Sequence, residues 1–288
     1  MSNLSTASIE KLVCTECKGT LLPSPGMLIC SCCGRENPVR DQIPDFLYSA
    51  HKGQHYSNWI RLPEKVHSRA MAWIVENPSR VSDIALELWW QLFARMYESS
   101  HGIRRAIAGA AKGTQSVEAI FEWMLSRVRA DSGLVLDAAS GPSTLGRRLA
   151  GRQGVFAIDI VLPMLKRGAS LAAMERTHNI QFVRAKVEAL PFLDGTFAGA
   201  LLGQALHWLT DPVAGLSELA RVLRPGSVLS GGTALKGGSS ELSRASAHTG
   251  GHPFDVEELR RCLLAGGFVD VELESAGEVL LFAARRRD

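Results

Sequence analysis

Apolar positions along this chain follow two patterns, and their order predicts the class of fold. Short unbroken runs, Leu134-Val135-Leu136 and Val155-Phe156-Ala157-Ile158, each end in an acid, at Asp137 and Asp159. Runs apolar at every position suit strands buried on both faces of a parallel sheet. Elsewhere the apolar residues recur every three or four positions, as on one face of a helix. Ser116 opens such a stretch, with Val117, Ile120, Phe121, Met124, Leu125 and Val128 on one side. Upstream, Asn77 can cap a helix that Pro78 begins, carrying Val81, Ile84, Ala85, Leu88, Trp89, Leu92, Phe93 and Met96. Thr144 to Ala150 predicts a short helix, Val228 to Leu229 a fifth strand, and Val269 to Leu273 with Val279 to Ala283 a terminal strand pair. Gly266-Gly267-Phe268 reads as the close of a last helix. Gly231 to Pro253, rich in Gly, Ser and Ala without an apolar period, reads as a loop or short lid. Alternating strands and helices predict an α/β fold with a doubly wound sheet, parallel except for its last strand.

The turn after the first strand carries the first chemical signal. Asp137-Ala138-Ala139-Ser140-Gly141-Pro142-Ser143 is built of small residues, which let a backbone approach a ligand closely. Asp159 follows Asp137 by 22 residues. That is about the distance from a nucleotide-binding turn to the acid that grips a ribose. A carboxylate inside the turn would repel a pyrophosphate but suits a cationic ligand.

This turn, D-x-A-x-G-x-S, resembles motif I of class I S-adenosylmethionine (SAM) methyltransferases, D-x-G-x-G-x-G. Three more segments resemble the family in register. Phe182 to Phe192, ending Leu190-Pro191-Phe192, is similar to the adenine-side motif, and Ala205-Leu206-His207-Trp208 before Asp211-Pro212 to the strand-four motif. Glu218 to Gly226 is similar to the helix end and turn that follow. The resemblance implies a Rossmann-like sheet of seven strands and SAM as cofactor. It assigns cofactor contacts to Asp137, Ala139, Ser140, Gly141, Pro142, Ser143, Asp159, Ile160, Met164, Lys186, Val187, Glu188 and Gln204. Ala139 and Ser143 replace two glycines, so the backbone there is expected to avoid conformations that only glycine tolerates. Lys186 stands where the family usually has an acid that accepts from the adenine amino group. An ammonium has donors only, so the adenine is expected to rest on the Val187 backbone and apolar packing, with Lys186 turned outward.

A His-Trp pair at the strand-four motif is common in relatives of this family that methylate small hydroxylated substrates. The resemblance makes His207 the candidate catalytic base, in keeping with an imidazole's titration near neutrality. Tyr97 resembles a tyrosine that precedes the cofactor domain in many small-molecule methyltransferases; it and Trp208 are the candidate substrate contacts.

Five of the six cysteines lie within the first 33 residues. Cys14-x2-Cys17 and Cys30-x2-Cys33 have the spacing of two zinc knuckles, with Lys18-Gly19 and Gly34-Arg35 as turn residues. Four thiolates leave no open coordination position, so the zinc is expected to be structural. Cys32 is spare, and Cys262 reads as a packed core thiol. Asn37 to Leu47 resembles the ending of small zinc ribbons in methyltransferase activators and at the front of some methyltransferases. The expected organisation is a zinc ribbon over 1–50, a helical linker or lid over 51–115, and a SAM-dependent methyltransferase domain over 116–288.

Composition narrows the functional classes. Hydrophobic residues make up 46% and charged residues 21%, which describes a globular chain with a sizeable core. A net charge of +3 leaves nucleic acid a weak expectation, despite the basic tip Arg285-Arg286-Arg287. Neither a membrane span nor an export signal is legible, so a cytoplasmic location is expected. The leading expectation is methylation, on oxygen by preference, of a small, largely apolar hydroxylated or enolic metabolite. Guanine-N1 methylation of ribosomal RNA is the alternative, because such enzymes also carry an N-terminal ribbon. A repurposed, non-catalytic methyltransferase fold is the third, motivated by Lys186 and the lost glycines.

Overall fold

The computed structural model describes residues 6–47, 97, 103–128, 133–240, 243 and 251–288. Most of the expected helical segment over 51–115, including the stripe from Val81 to Met96, lies outside them. So does His248.

The N-terminal part begins with helix α1 (Thr6–Ile9). Strands β1 (Leu21–Ser24), β2 (Met27–Cys30), β3 (Glu36–Arg40) and β4 (Ile43–Pro44) follow as a small sheet in chain order, each antiparallel to the next. Lys18 at φ +57 and Gly34 at φ +72 make the left-handed turns after the cysteine pairs. These are the turn positions legible in the sequence.

The main sheet follows helices α2 (Ile103–Ala111) and α3 (Val117–Val128). Ser116 caps α3 as expected, its Oγ accepting from the Ala119 N–H at 3.1 Å. The core then runs β5 (Leu134–Asp137), α4 (Thr144–Leu149), β6 (Gly154–Asp159), α5 (Leu162–Met174), β7 (Ile180–Arg184) and β8 (Phe197–Gly203). After a 3-10 turn at Leu206–Trp208 come α6 (Pro212–Val222), β9 (Leu223–Ala234), α7 (Val256–Ala265), β10 (Phe268–Ala276) and β11 (Val279–Arg286). The seven strands lie in the order β10-β11-β9-β8-β5-β6-β7. Only the last strand in the chain, β11, runs against its neighbours β9 and β10. This is the Rossmann-like sheet that the sequence implied.

Strand β9 departs from expectation. It continues through Gly231 to Ala234, a stretch that reads as loop by composition. A Cβ on Gly231 would stand 2.3 Å from the Leu202 carbonyl oxygen, and one on Gly232 2.4 Å from Gln204 Nε2. The glycines here permit close strand packing rather than disorder.

Burial falls on both sides of this sheet. One cluster joins α2 and α3 to the strands through Ile107, Ile120, Phe121, Met124 and Val135. The other unites ribbon and core in one apolar body: Leu12, Leu21, Leu28 and Phe46 pack with Leu190, Phe192 and Phe197. Cys262 is buried on α7, and burial pushes its thiol up to about 11, in keeping with a packed core position. Among the described residues no helix is long and apolar enough to cross a membrane.

Candidate active site and metal centre

Strands β5 and β6 deliver Asp137 and Asp159 to the carboxyl edge of the sheet, where ligands bind in open α/β folds. Asp137 is buried, and its Oδ2 accepts from Ser143 Oγ at 2.6 Å and from the Gly146 N–H at 3.0 Å. Its carboxylate therefore caps the start of α4, a task the N-cap residue Ser143 does not perform with its own side chain. Burial pushes Asp137 up to about 7 against those two donors, and the charge of Asp159 adds to the rise. Gly146 was not singled out in the sequence. A Cβ there would lie 2.3 Å from Ser143 Oγ and 2.7 Å from Asp137 Oδ2, so only glycine leaves room for the clamp. A glycine inside a short helix is the signal that could have found it.

Asp159 holds the other side of the turn. Its Oδ2 accepts from the Gly141 N–H at 2.7 Å and its Oδ1 from the Val161 N–H at 2.8 Å. Burial raises its pKa, opposed by these N–H donors and by the charge of Arg184. The turn is thus suspended between two carboxylates.

The expectation that Ala139 and Ser143 avoid glycine-like backbone is overturned. Ala139 sits at φ +47 and Ser143 at φ +57, on either side of Gly141 at φ +56. The left-handed conformation costs an L residue roughly 1–2 kcal/mol. Ser143 offsets this through its hydroxyl bond to Asp137, whereas Ala139 has no side-chain polar group to do so.

A pocket opens beside the turn. Its polar lining comes from Asp137, Ser140, Thr144 and Gln204, and its apolar wall from Ile103, Ile107, Phe121 and Met124 on α2 and α3. Tyr97 lines it too, its ring 3.6 Å from where a Cβ on Gly141 would stand. Tyr97 and Ile160 also pack against Val161 and Met164. Gln204, at φ +55 and 6% exposed, has neither amide atom hydrogen-bonded among the described residues. Pro142 stays within the turn, where its carbonyl accepts from Arg147 Nε at 3.1 Å.

Other sequence candidates are not among the residues that line this pocket. Lys186 does not swing free: it is half-buried, and desolvation lowers its pKa, with the charge of Glu188 opposing. Val187 is buried, and Glu188 accepts from the Thr210 N–H at 3.0 Å, just ahead of α6. Trp208 is 46% exposed. His207 is wholly buried, with Nδ1 3.1 Å from Thr233 Oγ1 and its carbonyl accepting from the His252 N–H at 2.7 Å. Burial lowers its pKa to about 3. Titration near neutrality, on which the base role leaned, does not hold for this imidazole.

The four knuckle cysteines converge, with their sulfurs all within 4.8 Å of one another. Cys14 and Cys33 are 3.6 Å apart and Cys17 and Cys30 3.4 Å, far beyond a disulfide's ~2.05 Å. Four thiolates around a tetrahedral zinc at ~2.3 Å stand ~3.8 Å from each other, so this group fits such an ion. Burial pushes the Cys30 thiol up, but N–H donors from Cys33 and Cys32 outweigh it and bring it to about 6. Gly19 is tight against the cluster, with a notional Cβ 2.8 Å from Cys32 Cβ.

These features define the class: a Rossmann-like sheet whose carboxyl edge holds a small-residue turn between two acids. Residues 135–226 match the family model described as a methyltransferase domain, and the sheet has the Rossmann-like fold of class I methyltransferases. It is 38% identical over 113 residues to a malonyl-[acyl-carrier protein] O-methyltransferase of Pseudescherichia vulneris, covering 38% of this chain and 43% of that protein. It is 41% identical over 109 residues to the ubiquinone/menaquinone biosynthesis C-methyltransferase UbiE of Marinomonas sp., covering 36% of this chain and 43% of that one. The chain therefore spans less than half the length of these curated relatives. Among solved structures, geranyl diphosphate C-methyltransferase from Streptomyces coelicolor A3(2), with S-adenosyl-L-homocysteine bound, is similar in fold. There the TM-score is 0.52 at 15% identity, over 59% of this chain and 76% of that one.

Proposed function

We propose that this chain is a SAM-dependent methyltransferase acting on a small, largely apolar acceptor that carries a hydroxyl or enol. The observation that carries the reading is the clamped turn. Asp137 and Asp159 fix its two sides, and the matched family region begins two residues before Asp137. SAM, when bound, supplies a methyl group already activated on a sulfonium, so the protein's work is alignment and exclusion of water. Asp159 is assigned to the ribose hydroxyls, Gly141 and its neighbours to the amino-acid portion, and Ile160, Met164, Lys186 and Val187 to the adenine side. The apolar wall from α2 and α3 favours an acceptor with little charge. Tyr97 and Gln204 can offer it hydrogen bonds within that wall.

His207 serves this reading as a positioning group. A neutral imidazole with a pKa of about 3 is a weak base, but its Nδ1 ties the 3-10 turn to Thr233, while the His207 carbonyl accepts from the His252 N–H. We further propose that Cys14, Cys17, Cys30 and Cys33 hold one structural zinc ion.

Calorimetry with SAM and S-adenosylhomocysteine tests the cofactor, followed by transfer of labelled methyl to a panel of quinols, phenols and enols. Micromolar binding and transfer to apolar members of the panel are expected. Absence of binding, or transfer only to RNA, overturns the reading.

A further inference from the structure

The ribbon meets the core at β7, an edge strand of the main sheet. Asp45, just past β4, is fully buried, and its Oδ2 accepts from Arg184 Nη1 at 2.8 Å. Arg184 ends β7, is nearly buried itself, and donates through Nε to the Ile160 carbonyl at 2.9 Å. Ile160 follows Asp159, and Asp159 is the β6 partner of Arg184. Around the ion pair the backbones also join, the Phe46 N–H donating to the Arg184 carbonyl at 2.9 Å. The Phe46 carbonyl in turn accepts from Arg35 Nη2 at 3.1 Å, two residues past Cys33. An unbroken line of contacts thus runs from the second knuckle to the corner that presents Asp159.

We propose that Asp45 is a positioning residue for the cofactor site. Acting through Arg184, it holds the Asp159-Ile160 corner, so that the ribbon sets cofactor affinity from within the same chain. The inference rests on the cofactor reading above. Its physical basis is that a guanidinium buried at this point needs a counter-charge. With Asp45 in place, Arg184 is oriented so that a second N–H reaches the Ile160 carbonyl. Without it, the guanidinium loses the counter-charge it is hydrogen-bonded to and is less firmly held on that carbonyl, loosening the backbone that carries the ribose acid.

The test uses the full-length, zinc-loaded chain with S-adenosylhomocysteine as probe. Affinity is measured by calorimetry, zinc by metal analysis, and the Val161 amide by hydrogen exchange, since that N–H donates to Asp159. Asp45→Asn is expected to weaken binding tenfold or more, keep its zinc and speed exchange at Val161. Asp45→Glu should recover part of the affinity. Asp41→Ala removes another ribbon carboxylate, the exposed partner of Lys166, and should stay within twofold of wild type. An Asp45→Asn protein that retains zinc and binds within twofold of wild type overturns the proposal. Should that variant fail to fold, the double variant Asp45→Leu with Arg184→Met removes both charges while still depriving Ile160 of its donor. It should bind weakly, and wild-type affinity in the folded double variant is equally fatal. If the wild type itself binds no probe, the cofactor reading falls and takes this inference with it. Binding by wild type and variant alike sinks the inference alone.

Discussion

Asp137 is expected to change its protonation if a cationic ligand binds beside it. Its ordinary value of 3.8 is raised to about 7, so the folded protein holds a proton there that the unfolded chain has lost. The stabilising effect of that proton is present below about 4 and fades as pH rises through about 7. His207 has the opposite sign: its pKa is depressed to about 3, so stability is lost as pH falls below about 6.5. A sulfonium near Asp137 favours the carboxylate and should expel its proton. SAM binding at pH 7, measured calorimetrically in buffers of differing ionisation heat, should release up to about half a proton. S-adenosylhomocysteine, lacking the sulfonium charge, should release less, and Asp137→Asn should show no such release. Equal proton counts for both ligands would contradict the placement of Asp137 beside the sulfonium.

The junction of β5 and α4 works only because one helical residue has no side chain. Asp137 reaches the Gly146 N–H across the space a Cβ would fill. Gly146→Ala improves helix propensity by up to ~1 kcal/mol, yet must push aside Ser143 Oγ and the carboxylate. Overpacking of this kind typically costs ~1–3 kcal/mol, so the steric loss outweighs the gain. A lower melting temperature and at least tenfold weaker SAM binding are expected, measured by calorimetry on the same samples. A stabilised variant with intact binding would show that the clamp is not needed. Ser143 makes the same point from the opposite direction: its left-handed backbone is tolerated because its hydroxyl is part of the clamp.

The molecule as a whole ties its four-cysteine cluster to the Rossmann-like core. The sequence suggests a ribbon that could melt by itself, since a domain that small has little core of its own. The structure instead puts Leu12, Leu21, Leu28 and Phe46 in one cluster with Leu190, Phe192 and Phe197. Each such side chain, fully buried, contributes roughly 1.5–3 kcal/mol, and that burial is shared across the junction. The pair of Asp45 and Arg184 adds a penalty of about 3–5 kcal/mol for removing one partner alone. Stripping zinc with a chelator should therefore lower the melting temperature of the whole chain and weaken cofactor binding together. Two separate transitions, with affinity unchanged, would show an independent ribbon. This outcome differs from the isolated-ribbon expectation because surface that is apolar within the first 47 residues is covered by residues far along the chain.

Local chemistry was enough to read the strands ending in Asp137 and Asp159, the capped helix after Ser116 and the two cysteine knuckles. Each rests on a period, a cap or a spacing that neighbouring residues impose on one another. The count of seven strands also followed, through the family resemblance, and the single antiparallel strand through the alternation of strands and helices; the order of the strands did not. Tertiary structure decided what those patterns could not contain. Whether Gly231 and Gly232 belonged to a loop or a strand depended on Leu202 and Gln204 lying against them. His207 became a buried, untitrated imidazole because Thr233 and its surroundings exclude water from it. Arg184 joined Asp45 across 139 positions of sequence, a pairing that no local pattern encodes. Burial and counter-charge are properties of what the whole chain brings together, and only the folded molecule sets them.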